Sequence, residues 1–347
     1  MDKRIRILDC TLRDGGLGLE DASKNKISDK QFSQEDVRSI TDRLTGSRVD
    51  IVELGSIEIS EDDKSGFAIY QSIEKISERI PADRCEDQMY VGLYRGPDTP
   101  IEAIPEHRES MVNGTRVIIR YSELQKSLDF CAALSKKGYK VFVQPMLTMR
   151  YTEDELDLII RASNEMGAYA LYFVDSYGYM QNSDIERFIE KYDEMLEPSV
   201  RIGFHAHNNM NMAFSNALCA MNYPTEREMI LDACAIGMGQ GAGNLQTELI
   251  VSHLNKINSG RYDLSAVLDV CDIVESYQGD NLWGYSVTRL IPAIHKTAYK
   301  YAVALRKHYG LNFSAIDHIL SDIPEELRHR YTPENTVLLL KSKGYLK

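Results

Sequence analysis

The chain has fewer positive than negative charges and contains no long apolar run. Its 347 residues include 40 Lys and Arg against 52 Asp and Glu, which gives a formal net charge of -12. This acidic balance argues against nucleic acid or an anionic membrane surface as the main partner. No segment approaches the ~20 consecutive apolar residues that a membrane-spanning helix needs. Because no apolar signal-peptide stretch follows Met1 to Arg6, the expected compartment is the cytoplasm.

Cysteine motifs are missing as well. The six cysteines are scattered along the chain without a Cys-x-x-Cys pair, at Cys10, Cys85, Cys131, Cys219, Cys234 and Cys271. This spacing disfavours a zinc ribbon or a redox-active pair. In a chain of this length we expect reduced thiols in apolar surroundings.

Short apolar runs alternate with longer segments of helical period. Eight strands are predicted, at residues 5–9, 50–54, 89–94, 116–121, 140–144, 170–174, 200–204 and 229–235. Helices are predicted between them at residues 33–45, 67–79, 127–137, 152–166, 183–196 and 212–220. This alternation predicts an α/β fold with a parallel sheet closed as a (β/α)8 TIM barrel. An open doubly wound sheet is the alternative, but the sequence Arg13-Asp14-Gly15-Gly16 lacks the glycine spacing of its phosphate turn.

The barrel is predicted to occupy residues 1–258 as a catalytic domain. Residues 259–347 show no further strand signal and carry helical patterns at 299–309 and 333–343. They are predicted to form a helical C-terminal extension or small domain packed on the barrel. The polar segment 20–30 is predicted to be a loop over the barrel mouth.

Three predicted strands are followed by side chains that bind metal ions. Asp14 comes after the first strand, and His205 and His207 come after the seventh. Because side chains alternate along a strand, the two imidazoles of His-x-His point to the same face. An aspartate and two imidazoles at the carboxyl rim of a barrel predict an open site for a divalent ion. The glycine-rich loop after the eighth strand ends in Asn244, whose amide oxygen is a candidate fourth ligand.

These motifs together resemble the DRE-TIM metallolyase superfamily (HMG-CoA lyase-like), and most closely its 4-hydroxy-2-oxovalerate aldolase branch. The resemblance rests on Leu8-Asp9-Cys10-Thr11-Leu12-Arg13-Asp14-Gly15-Gly16, Gly203-Phe204-His205-Ala206-His207-Asn208 and Gly239-Gln240-Gly241-Ala242-Gly243-Asn244. It implies a divalent ion, usually Mn2+ or Mg2+ and in some members Zn2+ or Co2+, held by Asp14, His205 and His207. It also implies that Arg13 binds the substrate and stabilises an enolate oxygen.

The implied activity is that of a metal-dependent aldolase or lyase, which makes or breaks a carbon–carbon bond in a pyruvate-type 2-oxo acid through a metal-stabilised enolate. One position departs from the family pattern. The aldolases have a histidine, their catalytic base, three residues after the motif aspartate, and this chain has Leu17 there. The candidate bases are therefore Tyr285, His295 and Glu53.

Further substrate-binding candidates lie at other predicted strand ends. Asp175 and Ser176 belong to a segment that resembles the family's Asp-Ser-x-Gly turn. Arg95 and Arg120 end the third and fourth strands, where a guanidinium could bind a substrate carboxylate.

Two other functions stay open. One is a Claisen-type synthase that condenses an acyl-CoA with a 2-oxo acid, although the sequence shows neither a long C-terminal regulatory domain nor a CoA-binding basic cluster. The other is a catalytically diminished barrel that serves as a partner subunit. Family aldolases pass an aldehyde to a companion dehydrogenase, so the C-terminal helices are the expected contact for such a partner or for a homodimer.

Overall fold

A computed structural model describes residues 4–60, 62–258, 260–279 and 283–346. The predicted domain limits 1, 259 and 347 lie outside these residues. Within these ranges, nine strands form one sheet: β1 (Ile5–Asp9), β2 (Ile51–Ile57), β3 (Ile69–Tyr70), β4 (Met89–Tyr94), β5 (Gly114–Ile119), β6 (Lys140–Pro145), β7 (Ala170–Asp175), β8 (Arg201–Ala206) and β9 (Met229–Ala233).

Eight of these strands close into a parallel cylinder. Each strand pairs with its neighbours in chain order, except that the short β3 lies beside β2. The ring closes because β1 pairs with both β2 and β9, through Leu8 opposite Ile51 and Ile5 opposite Met229. The predicted (β/α)8 TIM barrel is therefore confirmed. All parallel strands point their carboxyl ends to one rim, which brings their following loops together.

Helices surround this cylinder and continue beyond it. They are α1 (Thr11–Lys24), α2 (Gln34–Ser47), α3 (Ile73–Ser77), α4 (Leu124–Lys136), α5 (Glu153–Glu165), α6 (Asn182–Met195), α7 (Ala213–Asn222), α8 (Thr247–Ile257), α9 (Leu264–Glu275), α10 (Val287–Ile294), α11 (Lys300–Lys307), α12 (Phe313–Ser321), α13 (Glu325–Arg328) and α14 (Pro333–Ser342). No helix within the described ranges is long and apolar enough to cross a membrane.

Two local predictions were wrong. The predicted helix 67–79 contains β3 and only the short α3, because the Ser56 N–H donates to the Ala68 carbonyl and draws this segment onto β2 as an added strand. The predicted loop 20–30 begins as the end of α1, which continues to Lys24 because Leu19 and Ala22 are buried on one side of the helix.

In the part of the chain that the structure describes, side-chain packing forms two hydrophobic cores. The larger core joins the barrel strands to the surrounding helices, and α9 belongs to it through Val267, Val270 and Val274. A smaller core joins helices of the C-terminal extension through Ile291, Tyr301, Ala302, Leu305, Ile316, Ile319, Leu320, Ile323, Leu339 and Leu340. The domain boundary at residue 258 stays a prediction, but α9 packs with the barrel rather than with the smaller core.

Candidate metal centre and active site

Asp14 lies in the first turn of α1, which starts almost directly after β1. The turn between them is fixed by the Asp9 carboxylate, which accepts a hydrogen bond from the Thr11 N–H (2.9 Å) and another from the Thr247 hydroxyl (2.7 Å). A carboxylate in the first helical turn is favoured by the helix dipole. Burial opposes ionisation of Asp14, but the Arg13 guanidinium outweighs it and holds the pKa of Asp14 below the usual value.

The two predicted histidines converge on this aspartate. His205 lies in β8 and His207 follows the strand, with their ring centroids 5.2 Å apart. One ligand atom from each of Asp14, His205 and His207 lies within 4.8 Å of the others. A single ion can therefore bind all three side chains.

Asn244 lies next to this group. It pairs with His207 in an isolated antiparallel bridge and is buried. Its Nδ2 donates to the Met238 carbonyl (3.0 Å), whereas its Oδ1 has no hydrogen-bond partner among the described residues. A buried amide oxygen without a donor is costly, and a cation would satisfy it. The donor set therefore fits a divalent ion.

The Asp232 carboxylate orients the ring of His205. The Nδ1 of His205 lies 2.8 Å from Asp232 Oδ2, and its Nε2 lies 3.3 Å from Asp14 Oδ2. An Nδ1–H that donates to Asp232 leaves the Nε2 lone pair directed at the metal position. Burial lowers the pKa values of His205 and His207, with Arg13 adding to the effect, so both rings are neutral and able to bind metal at neutral pH.

Arg13 is held between two carboxylates at the same place. Its guanidinium forms an ion pair with Asp14, and its Nε donates to Glu53 (2.8 Å). Glu53 is fully buried and also accepts from Arg116 (2.5 Å). Burial raises the pKa of Glu53 even against these two arginines. Glu53 thus fixes the direction of Arg13.

A cavity of about 420 Å³, called the metal cavity below, is lined by the candidate metal ligands. Arg13, Asp14, His205 and His207 belong to the barrel part of its wall. The C-terminal extension supplies the opposite part, from residues 297–300 and 329–331. The cavity is large enough for a small organic acid, and it is built from both parts of the chain.

The HMGL-like family profile matches residues 4–277. The chain belongs to the HMGL-like family. A 4-hydroxy-2-oxovalerate aldolase of Geobacillus genomosp. 3 is 28% identical over 278 residues, which cover 78% of this chain and 76% of that protein. An oxaloacetate decarboxylase of Mycobacterium tuberculosis is 26% identical over 277 residues, covering 80% and 76% of the two chains. The N-terminal domain of a candidate aldolase from Bacteroides vulgatus has the same fold, with a TM-score of 0.71, 20% identity, and coverage of 90% of this chain and 99% of that one.

These similarities confirm the resemblance to the HMG-CoA lyase-like superfamily. They also confirm the prediction of an enzyme in the carbon–carbon lyase class, because the family is enzymatic and the relatives are named as aldolases and a decarboxylase. At 20% identity, the solved structure supports the fold alone.

Of the other substrate-binding candidates in this HMGL-like protein, Ser176 lies in the cavity wall and Asp175 holds the turn behind it. Ser176 lines the metal cavity, and its hydroxyl accepts from the Leu147 N–H (2.9 Å). Asp175 is buried and accepts from the N–H groups of Tyr179 and Met180, both at 3.0 Å. Burial, partly offset by these bonds, raises its pKa to about 7. Asp175 therefore holds the turn that positions Ser176.

The two arginine candidates line a neighbouring cavity of about 890 Å³. Arg120 forms ion pairs with Asp98 and Glu123, and Arg95 pairs with Glu20 and Glu58. Their charges are already neutralised by carboxylates of the same rim.

None of the three candidate bases lines the metal cavity within the described residues. Glu53 is buried behind its arginine partners, and Tyr285 lies in a separate cavity with 54% of its surface exposed. His295 binds Asp317 through Nε2 (2.7 Å). Leu17, by contrast, does line the metal cavity.

Sequence reasoning missed several polar residues in the cavity wall. Gln144 in β6 and Asn209 after β8 are buried, and the structure gives no hydrogen-bond partner to Gln144 Nε2 or Asn209 Oδ1 among described residues. A glutamine near the carboxyl end of an apolar strand is a signal that could have identified Gln144. Tyr177 and His329 also line the cavity, but no local pattern links His329 to the barrel rim.

Proposed function

We propose that this HMGL-like protein is a divalent-metal-dependent aldolase that cleaves or forms a carbon–carbon bond of a 2-oxo acid. The observation that carries the proposal is the convergence of Asp14, His205 and His207 beside Arg13 in one cavity. The named activities of the relatives, an aldolase and a decarboxylase, share a step in which negative charge develops on a 2-oxo acid.

Asp14, His205 and His207 would hold the ion, with Asn244 Oδ1 as a fourth donor. Mixed oxygen and nitrogen ligands suit Mn2+ or Mg2+, and they also accept Zn2+ or Co2+. When bound, the ion supplies Lewis-acid polarisation of the 2-oxo group and orients the acid.

The protein's own residues complete the binding of the acid. Arg13 is fixed by Glu53 and Asp14, so its positive charge is in place before the enolate oxygen develops. Gln144 offers an unused amide N–H to the substrate carboxylate, and the Ser176 hydroxyl lies in the same wall. These groups bind and orient a pyruvate-type acid without the paired Arg95 and Arg120.

Exchange of the pyruvate methyl protons for deuterium tests this proposal, because the exchange reports enolate formation. We expect Mn2+-dependent exchange that chelation abolishes and that Asp14→Ala lowers at least about 100-fold, since both remove the positive charge that stabilises the enolate. Asp42→Ala, an exposed change on α2, should leave the rate unchanged. Exchange in the metal-free protein or in Asp14→Ala as fast as in the Mn2+-loaded wild type would contradict the proposal.

Leu17 in the cavity wall favours a second candidate function, the catalytically diminished partner subunit. A pure partner subunit need not bind metal, so stoichiometric metal in the purified protein would argue against it. A homodimer or a companion dehydrogenase on the C-terminal helices, and the cytoplasmic location, stay predictions. The Claisen-type alternative predicts thiol release from acetyl-CoA in the presence of 2-oxo acids, and the aldolase predicts none.

A further inference from the structure

The residues on α1 do not supply a proton acceptor for the proposed reaction. Leu17 is apolar and lines the cavity, so this position cannot move a proton. An aldol cleavage nevertheless requires removal of a hydroxyl proton from the substrate. We infer that Tyr177, His329 and Glu325 form a proton relay in the cavity wall that serves 4-hydroxy-2-oxo acids, an inference that rests on the proposed aldolase function.

The three side chains form a continuous hydrogen-bonded chain. The Tyr177 hydroxyl lies 3.2 Å from His329 Nδ1, and His329 Nε2 lies 3.1 Å from Glu325 Oε1. The rings of Tyr177 and His329 are stacked, with an interplanar angle of 8° and centroids 5.8 Å apart. Tyr177 and His329 line the same cavity as Asp14 and His205. A phenol, an imidazole and a carboxylate therefore follow one another away from the metal cavity.

The order of these groups sets the direction of proton movement. The Glu325 carboxylate accepts from the Nε2–H of His329, so the Nδ1 lone pair faces the Tyr177 hydroxyl. Glu325 is itself held by Arg328 (2.8 Å). A carboxylate that fixes the tautomer and stabilises the imidazolium is the arrangement that activates a hydroxyl in hydrolase triads.

The charged and titratable groups around the relay keep His329 neutral at neutral pH. Burial lowers the pKa of His329 below its usual value of 6.5, the guanidinium of Arg150 adds to this effect, and Glu325 opposes it. The groups that act on Tyr177 and His329 from the surrounding elements are Arg150, Tyr179, Tyr301, Glu325 and Arg328. Burial raises the pKa of Tyr177, so its hydroxyl keeps its proton until the imidazole accepts it.

The segment that carries His329 is anchored to the C-terminal core. The Tyr301 hydroxyl lies 2.8 Å from both the Leu327 and the Arg330 carbonyls, and the Ala298 N–H donates to the Arg328 carbonyl (3.1 Å). Tyr301 is fully buried in that core. The extension therefore holds the imidazole in place over the barrel rim.

The relay accounts for every proton in the cleavage. The Tyr177 oxygen takes the proton of the substrate 4-hydroxyl while its own proton passes to His329 Nδ1. The C3–C4 bond breaks, the aldehyde carbonyl forms, and the electron pair stays on the 2-oxo acid as an enolate facing Arg13. The proton then returns through Tyr177 to C3, which gives the pyruvate-type acid and restores the relay without a co-reactant.

Two reactions of the full chain with Mn2+ separate a relay from a merely structural role. Cleavage of 4-hydroxy-2-oxopentanoate needs the hydroxyl proton removed, whereas decarboxylation of oxaloacetate forms an enolate without that removal, and water supplies the proton that this enolate takes up. We expect Tyr177→Phe to lower kcat for cleavage about 100-fold or more and to change decarboxylation, corrected for free Mn2+, less than about fivefold. Tyr179→Phe is the matched control, since its ring is adjacent and no hydrogen bond joins it to His329 among the described residues; it should retain both activities.

The His329 imidazole should determine how kcat/KM for cleavage depends on pH. Wild-type kcat/KM for cleavage should fall as pH drops below 6.5, because a protonated His329 cannot accept a proton, and this fall should disappear in His329→Gln. Glu325→Gln should lower kcat less than His329→Gln, because it removes orientation and not the acceptor.

Each other outcome counts against the relay. Unchanged cleavage by Tyr177→Phe, or an equal loss of cleavage and decarboxylation in a variant with wild-type metal content and melting temperature, overturns the relay alone. A wild-type protein with bound metal that enolises no pyruvate and cleaves no 4-hydroxy-2-oxo acid overturns the proposed aldolase function and the relay with it.

Discussion

Arg116 is fully buried inside the barrel, between Glu53 and Asp232. Each of its two carboxylate partners contacts a different side chain of the site. Glu53 binds Arg13, and Asp232 binds His205. Buried ion pairs seldom add stability over apolar packing, since the loss of hydration is large. What this network provides instead is a fixed direction for Arg13 and His205, the side chains that we propose stabilise negative charge and bind metal.

Asp175 allows a test of buried charge at a single residue. Its pKa of about 7 in the folded state lies above the usual value of 3.8 because of burial. A raised carboxyl pKa means that the stability contributed by the protonated form is present at low pH and is lost as pH rises from about 4 to 7.

Asp175→Asn removes this dependence because an amide does not ionise. When the pH is raised from 5 to 8, the free energy of unfolding of wild type should fall by about 3 kcal/mol more than that of Asp175→Asn. Urea unfolding at the two pH values measures the difference, and the exposed Asp42→Asn should follow wild type. A constant difference between Asp175→Asn and wild type would show that the Asp175 carboxyl titrates normally.

Single residues were predictable where a motif and a strand end coincide. The convergence of Asp14, His205 and His207 could be predicted because each sits next to a strong apolar run, and parallel strands place such residues on one rim. His329 could not be identified in the same way, because it reaches the rim only through the folding of the extension.

At the junction between β1 and α1, the sequence predicts the strand but not the helix that follows it. The sequence predicts β1 correctly, but Gly15 and Gly16 are typical of a loop, whereas both lie inside α1. The reason is close packing. A Cβ at Gly16 would lie 1.9 Å from the Phe67 carbonyl oxygen, so glycine is required where α1 contacts the segment before β3. This tertiary contact overrides the low helix propensity of glycine.

Two glycine substitutions in helices test this reading. Gly16→Ala should lower the free energy of unfolding by about 1–3 kcal/mol, because the clash is with backbone atoms that cannot move freely. Gly46→Ala on α2, where an added Cβ meets nothing within 4 Å, should raise it by about 0.5–1 kcal/mol. Urea unfolding of both variants provides the measurement. Equal effects would show that α1 can shift away from Phe67 without cost.

At the scale of the whole molecule, the candidate active site is shared between the barrel and the C-terminal extension. The barrel could be predicted because eight alternations leave few other topologies. The position of the extension could not, because its helices carry their own core, and helical periodicity does not say which face meets the barrel. Its residues 297–300 and 329–331 nevertheless complete the metal cavity. Loss of the extension would therefore open the site as well as remove His329.

Metal binding should stabilise the entire fold, because the ligands come together only in the folded chain. Asp14 and His205 belong to elements at opposite ends of the barrel sequence. An ion at 100 times its Kd adds about 2.7 kcal/mol to the free energy of unfolding, which corresponds to a rise in Tm of about 4 °C for a chain of this length. We expect calorimetry with Mn2+ to show this rise in wild type and in Tyr177→Phe, which keeps the ligands. Asp14→Ala should show none, and an equal rise in Asp14→Ala would place the stabilising ion elsewhere on the protein.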